Sequence, residues 1–205
     1  MGRTSGKKTK ENIVFKSFIL FGQKPYDQVT FADIEKATSI SRGAILYHFG
    51  SKKDIFNAVV ELSLSSRISM FEIETGNEEP LKNYIQRFVK KCKDAMKEME
   101  KNDVKNINLA YYNIENEAIF FYDNYCSLVK QMRDTEIKMW KQIIVKSQSV
   151  NEIDKKTSPT LLARLFSNAY YGHAYFAAKT ENGCDTADLL EEFLCLYEMT
   201  KLPKS

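Results

Sequence analysis

The stretch Ser41-Arg-Gly-Ala-Ile-Leu-Tyr-His-Phe-Gly-Ser-Lys-Lys-Asp-Ile-Phe56 gathers side chains suited to meeting an anion. Arg42 stands at the start of a short helical pattern, Tyr47 and His48 at its end, and Lys52 and Lys53 at the start of the next. A hydroxyl, an imidazole and two ammonium groups suit phosphate oxygens, and a helix start adds free N–H groups aimed the same way. Catalysis asks for something else: a nucleophile, a base and an orienting group within reach. The chain has only two histidines, His48 and His173, and lacks a G-x-S-x-G elbow, a Gly-rich phosphate loop and paired metal ligands. Its four cysteines, Cys92, Cys126, Cys184 and Cys195, are far apart and form no C-x-x-C pair, which argues against zinc. The expectation is therefore a non-enzyme without metal or cofactor, its cysteines buried or half-buried free thiols in a reducing compartment.

The elements that would position these groups are legible in punctuation and periodicity. Thr30-Phe-Ala-Asp33 and Ser51-Lys-Lys-Asp54 both match the [ST]-x-x-[DE] capping box, and Ser41 is a third N-cap candidate. Between Thr30 and Ser41 lies one helix of two turns with Ile34 and Ala37 inward, then a tight turn at Thr38-Ser39 that Ile40 closes. Two short helices joined by such a turn make a helix-turn-helix. The second is short enough to lie in a DNA major groove about 12 Å wide, its N-terminal residues reaching base edges. Arg42 then stands where it can reach a base, Gly43 and Ala44 allow close approach, and one or more of the apolar Ile45, Leu46 and Phe49 anchors the helix to a small core. Tyr47, His48, Lys52, Lys53 and Thr30 are left for phosphate.

Gly and Pro are scarce, at 8 and 4, and apolar residues recur at helical spacing nearly throughout, as in Leu81, Tyr84, Ile85, Phe88, Val89 and Cys92. The pattern predicts an all-α fold of about nine helices, near 9–23, 30–37, 41–47, 51–74, 80–101, 103–115, 117–147, 158–180 and 185–200. Pro80 and Pro159 fit first helical positions, Ser158 and Asp185 fit N-caps, Gly76-Asn77 and Asn182-Gly183 mark breaks, and 147–157 reads as a polar loop. Short helices come first and long amphipathic ones later, giving a three-helix domain over 1–50 and a larger helical bundle over 51–205. Charge divides similarly. Residues 1–53 hold 10 Lys and Arg against 4 Asp and Glu, and the rest holds 20 against 23. A basic end on a slightly acidic body fits an anionic partner for the first part. The run Arg3, Lys7, Lys8, Lys10 reads as a disordered arm adding salt-sensitive attraction. No apolar run approaches the roughly 20 residues that span a bilayer, and no signal-peptide core follows the basic start, so a cytoplasmic location is expected.

Residues 13–56 resemble the N-terminal domain of the TetR family of bacterial transcriptional regulators. The resemblance rests on Phe21, Tyr26, Thr30, Ile34, Ile40-Ser41, Gly43, Leu46-Tyr47-His48-Phe49 and Ser51-Lys52, in that order and spacing. Pro25 stands where the family usually has Gly, and Glu35 and Ser39 replace a common Ala and a common turn Gly. The resemblance implies a homodimer that acts as a repressor and leaves its double-stranded DNA operator when a small molecule binds the larger domain. It implies that Thr30, Ser41, Arg42, Ala44, Tyr47, His48 and Lys52 face DNA, with Tyr47 and Lys52 on phosphate and Arg42 and Ala44 on bases. It also implies dimerisation through the last two helices, residues 158–200, where Gly172, Ala174 and Ala178 permit close helix approach. Beyond residue 56 the match is only in helicity and length.

For an effector, the aromatic and polar candidates are Tyr111, Tyr112, Phe121, Tyr125, Trp140, Tyr170 and His173. An aromatic stripe at helical spacing is more often core than pocket, and a histidine on such a stripe is more often a core or interface residue. Two rival functions stay open: a constitutive helix-turn-helix DNA binder without ligand, and a helical protein-interaction module. A membrane-surface role would want a long basic amphipathic helix, which the short capped helices do not supply.

Overall fold

A computed structural model describes residues 2–201, with side chains from Gly6 onward. Among the described residues the chain is helical without strands: α1 Gly2–Gln23, α2 Phe31–Thr38, α3 Arg42–His48, α4 Lys52–Phe71, α5 Pro80–Glu100, α6 Ile107–Phe121, α7 Tyr125–Ser149, α8 Pro159–Ala177 and α9 Thr186–Glu198. A 3-10 turn over Tyr26–Gln28 joins α1 to α2. No described helix is long and apolar enough to cross a membrane. Packing divides the chain into two compact units, one of residues 1–66 with 109–128, the other of 67–108 with 129–205.

The first unit closes on Ile13, Phe21, Ile34, Ile45, Ile55, Phe56 and Val59, each almost wholly buried. Phe56 takes Phe21 and Tyr26 edge-on, with ring centroids 5.0 Å away in both cases. Helix α1 approaches α6 at Gly22, where an added Cβ would stand 2.7 Å from the Ala110 Cβ. Asn113 locks that crossing by donating to the Gly22 carbonyl at 2.8 Å. The second unit packs around Trp140, stacked on Phe166 at 4.8 Å and met edge-on by Tyr84 and Phe193. Leu81, Ile85, Phe88, Ile144, Leu162 and Leu189 complete this core.

Several element ends depart from the sequence expectation for local reasons. Helix α1 starts at Gly2 rather than near residue 9. A lysine-rich stretch without proline is a good helix former, and Lys7 pairs with Glu11 one turn on at 3.9 Å. The basic run expected as a disordered arm is thus helical, while the side chain of Arg3 lies outside the described residues. Helix α6 starts four residues later than expected. Asp103 takes a left-handed conformation, and Asn106 donates to the carbonyls of Ala177 and Thr180, drawing the segment into a turn. The break before α7 comes at Asp123-Asn124, with Asn124 at φ 63°, so the aromatic run to Phe121 extends α6. The cysteines are free, but Cys126 and Cys195 are exposed rather than buried.

Candidate nucleic-acid interface

Thr30 caps α2 with a complete capping box. Its hydroxyl accepts from the Asp33 backbone N–H at 3.2 Å, and the Asp33 carboxylate accepts from the Thr30 N–H at 2.9 Å. The Thr30 N–H, the Thr30 hydroxyl donating to the carboxylate at 2.8 Å and the Lys24 ammonium at 3.2 Å hold the Asp33 carboxyl at about 2, below the usual carboxylate range. Helix α2 ends at Thr38, whose hydroxyl donates to the Ile34 carbonyl at 2.7 Å and accepts from the Ile40 N–H. Thr38, rather than the half-buried Ala37, is the buried residue one turn after Ile34. Ser39 then makes the turn at φ 58°, ψ 29°, the left-handed conformation a glycine accepts more readily.

Helix α3 begins at Arg42 as its spacing predicts, but Ser41 makes no side-chain cap. The cap comes from α2: the Glu35 carboxylate accepts the Arg42 backbone N–H at 2.6 Å. The Glu35 that departs from the family pattern thus ties the two short helices together. The Arg42 guanidinium lies over the Phe31 ring, 4.9 Å from its centroid. Ile45 and Phe49 bury one side of α3, and Ser41, Arg42, Gly43, Ala44 and Tyr47 stand exposed on the other. Tyr47 is 87% exposed, a fraction that no packing role explains. His48 is half-buried beside the Tyr47 ring.

Lys52 is placed differently from expectation. Its ammonium donates to the carbonyls of Tyr26 at 3.0 Å and Val29 at 3.1 Å and lies over the Tyr26 ring. Two of its three N–H groups therefore hold the loop that delivers Thr30. The Tyr26 ring in turn stacks on Phe121 with centroids 4.2 Å apart. Lys53 pairs with Asp123 at 3.2 Å. Sequence reasoning missed the struts Glu35 and Tyr26, because both act through tertiary contacts that no local spacing encodes.

Four of the seven effector candidates lie in the first unit and three in the second. In the first unit, Tyr111 meets Phe18 edge-on, Phe121 stacks on Tyr26, Tyr112 is half-buried and Tyr125 buried. In the second, Trp140 is sealed inside the aromatic core, Tyr170 packs against Phe71 and Phe88, and His173 bonds the Glu192 carboxylate and the Asp185 carbonyl. An open groove of about 520 Å³ in the second unit is lined by Phe71, Tyr84, Met139 and Ile143 together with the polar Glu72, Glu74, Thr75, Gln142 and Lys146.

Residues 16–59 match the family model described as bacterial regulatory proteins, tetR family. The chain is 33% identical over 72 residues to the HTH-type transcriptional regulator AcrR of Shigella flexneri, a match covering 35% of this chain and 33% of that protein. It is 38% identical over 52 residues to IcaR of Staphylococcus aureus strain Newman, the HTH-type negative transcriptional regulator of the biofilm operon icaADBC, covering 25% of this chain and 28% of that one. The chain thus spans about a third of the length of the curated relatives it matches. The fold extends further: the regulatory protein TetR from Rhodobacter sphaeroides superposes with a TM-score of 0.70 over 92% of this chain and 96% of that one, at 17% identity. Residues 16–59 thus match the tetR family's model, and nearly the whole chain shares the fold of that solved regulatory protein.

Proposed function

We propose that the protein is a cytoplasmic, homodimeric, DNA-binding transcriptional repressor that a small-molecule effector releases from its operator. The observation that carries this reading is α3: seven residues anchored on one side by Ile45 and Phe49, with Arg42, Ala44 and the nearly free Tyr47 on the other. A helix this short, anchored along one side and bare along the other, suits insertion into a major groove. Arg42 and Ala44 then meet base edges, while Thr30, Ser41, Tyr47, His48 and the remaining N–H of Lys52 meet backbone phosphates. AcrR and IcaR, each similar to part of this chain, are both named as transcriptional regulators.

Dimerisation through residues 158–200 is supported by an uncovered apolar stripe on α8. Leu161 and Leu165 are 58% and 43% exposed, Phe176 is 71% exposed, and a Cβ at Gly172 would meet nothing within 4 Å. Effector release rests on the size of the second unit and on its open groove, whose mixed lining suits a small ligand with both apolar and polar groups. Selection of bound duplexes from a random DNA pool, repeated in the presence of a metabolite library, tests the whole reading. An enriched pseudo-palindromic sequence whose retention falls with salt, and that one metabolite fraction releases, is the expected result. Absence of salt-dependent retention on any duplex would sink it.

A further inference from the structure

The second unit carries a concavity of about 490 Å³ away from its aromatic core, formed where the C-terminal half of α5 meets the turn before α9. Lys93, Lys97 and Lys105 line it, with Glu100 as the acidic group among the liners and Asn182 and Thr186 as neutral hydrogen-bonding groups. Met96 supplies an apolar face. Lys93, Lys97 and Glu100 stand on one side of α5 because they are spaced by four and three residues. Lys105 joins them because Asn106 pins the following turn to the carbonyls of Ala177 and Thr180. The neighbouring Lys101 is turned to Glu98, at 2.8 Å.

Three lysines and one carboxylate line the groove, and the stretch that supplies them is basic, residues 80–105 holding 8 Lys and Arg against 4 Asp and Glu. Like charges gathered in a concavity repel each other unless an anion is drawn in, and a concave basic wall focuses the field that draws it. All three cations are lysines. An ammonium is a compact point charge with three donors that meets a tetrahedral phosphate from any direction. We infer that this groove is a binding site for a small phosphorylated anion, its phosphate groups held by Lys93, Lys97 and Lys105, its polar atoms by Asn182 and Thr186, and its carbon skeleton against Met96. The site shares no residue with α3 or with the open groove beside Phe71, so it stands whether or not the proposed regulator reading holds.

Inorganic pyrophosphate is the probe, titrated calorimetrically into the full-length protein at about 0.15 M salt, where long-range surface attraction is screened. Citrate is the carboxylate control. The wild type binds pyrophosphate saturably and more tightly than citrate. Lys97→Gln with Lys105→Gln, both exposed and outside the core, weakens that binding by roughly tenfold or more, as expected for losing charged hydrogen-bond donors. Tyr47→Ala with Arg42→Ala leaves it unchanged. No saturable binding by the wild type, equal binding by the lysine variant, or citrate binding at least as tightly as pyrophosphate each overturns the inference.

Discussion

At the scale of single residues, Lys52 and Tyr47 show how the proposed interface divides its work. The Tyr47 ring is bare, so its removal costs the fold little and DNA affinity more. Tyr47→Ala is expected to weaken binding to all duplexes alike, with circular dichroism and thermal midpoint near wild type. Lys52 serves two purposes, because its ammonium already holds the Tyr26 and Val29 carbonyls. Lys52→Met removes both charged hydrogen bonds and is expected to cost about 1–2 kcal/mol of stability, discounted for partial exposure, and to reduce the salt slope of DNA binding by about 1. A variant that lost DNA affinity with no loss of stability would assign Lys52 to phosphate alone. Arg42→Ala is expected to relax sequence preference rather than lower affinity uniformly, read by repeating the random-pool selection.

At the scale of elements, the joints between helices carry the strain and the specificity. Ser39 holds φ 58°, a conformation that costs a non-glycine residue roughly 1–2 kcal/mol. Glycine gives part of that back through the entropy of the unfolded chain, so Ser39→Gly is expected to stabilise the protein by about 0.5–1 kcal/mol, measured by urea unfolding. Gly22→Val is expected to do the reverse, by about 1–3 kcal/mol or more, since even one added carbon would stand 2.7 Å from Ala110. The box at the head of α2 has a pH signature. The Asp33 carboxyl lies at about 2 in the folded chain, below its ordinary 3.8, so its stabilisation is full above about pH 4 and is lost as pH falls through 2. Asp33→Asn is therefore expected to lower the thermal midpoint near neutrality, with the gap from wild type closing below pH 4. Thr30, Asp33, Ile34, Ile45 and Phe49 were legible in the sequence because caps and helical periodicity are local. Glu35 as the cap of α3, Gly22 as the α1–α6 contact and Tyr26 as the platform for Lys52 were not, because each acts through a partner at least seven residues away. The effector candidates were the least legible for the same kind of reason. A stripe such as Tyr170 and His173 follows the same 3.6-residue period whether it faces a cavity or a core, and Trp140 turned out to be the centre of the core.

At the scale of the whole molecule, the proposed reader of a two-fold DNA site needs two copies. One α3 spans seven residues and touches a few base pairs, whereas paired recognition helices sit about 34–36 Å apart, one turn of DNA. The stripe on α8 is where a second copy is expected, because Leu161, Leu165 and Phe176 would otherwise keep large apolar faces in water. Since these side chains are not part of the described core, charge can be placed there without emptying it. Leu165→Glu with Phe176→Glu buries carboxylates in the proposed interface and leaves them solvated in a single copy. Light scattering is expected to show a dimeric wild type and a monomeric double variant of unchanged helical content. The variant is expected to lose affinity steeply for a two-half-site duplex while matching wild type on a single half-site, because only the linkage between two readers has been cut. If the double variant remained a dimer, the interface would lie elsewhere than on this face of α8. If the variant became a monomer yet kept full affinity for the two-half-site duplex, the pairing of readers would be unnecessary and the two-fold model would fall.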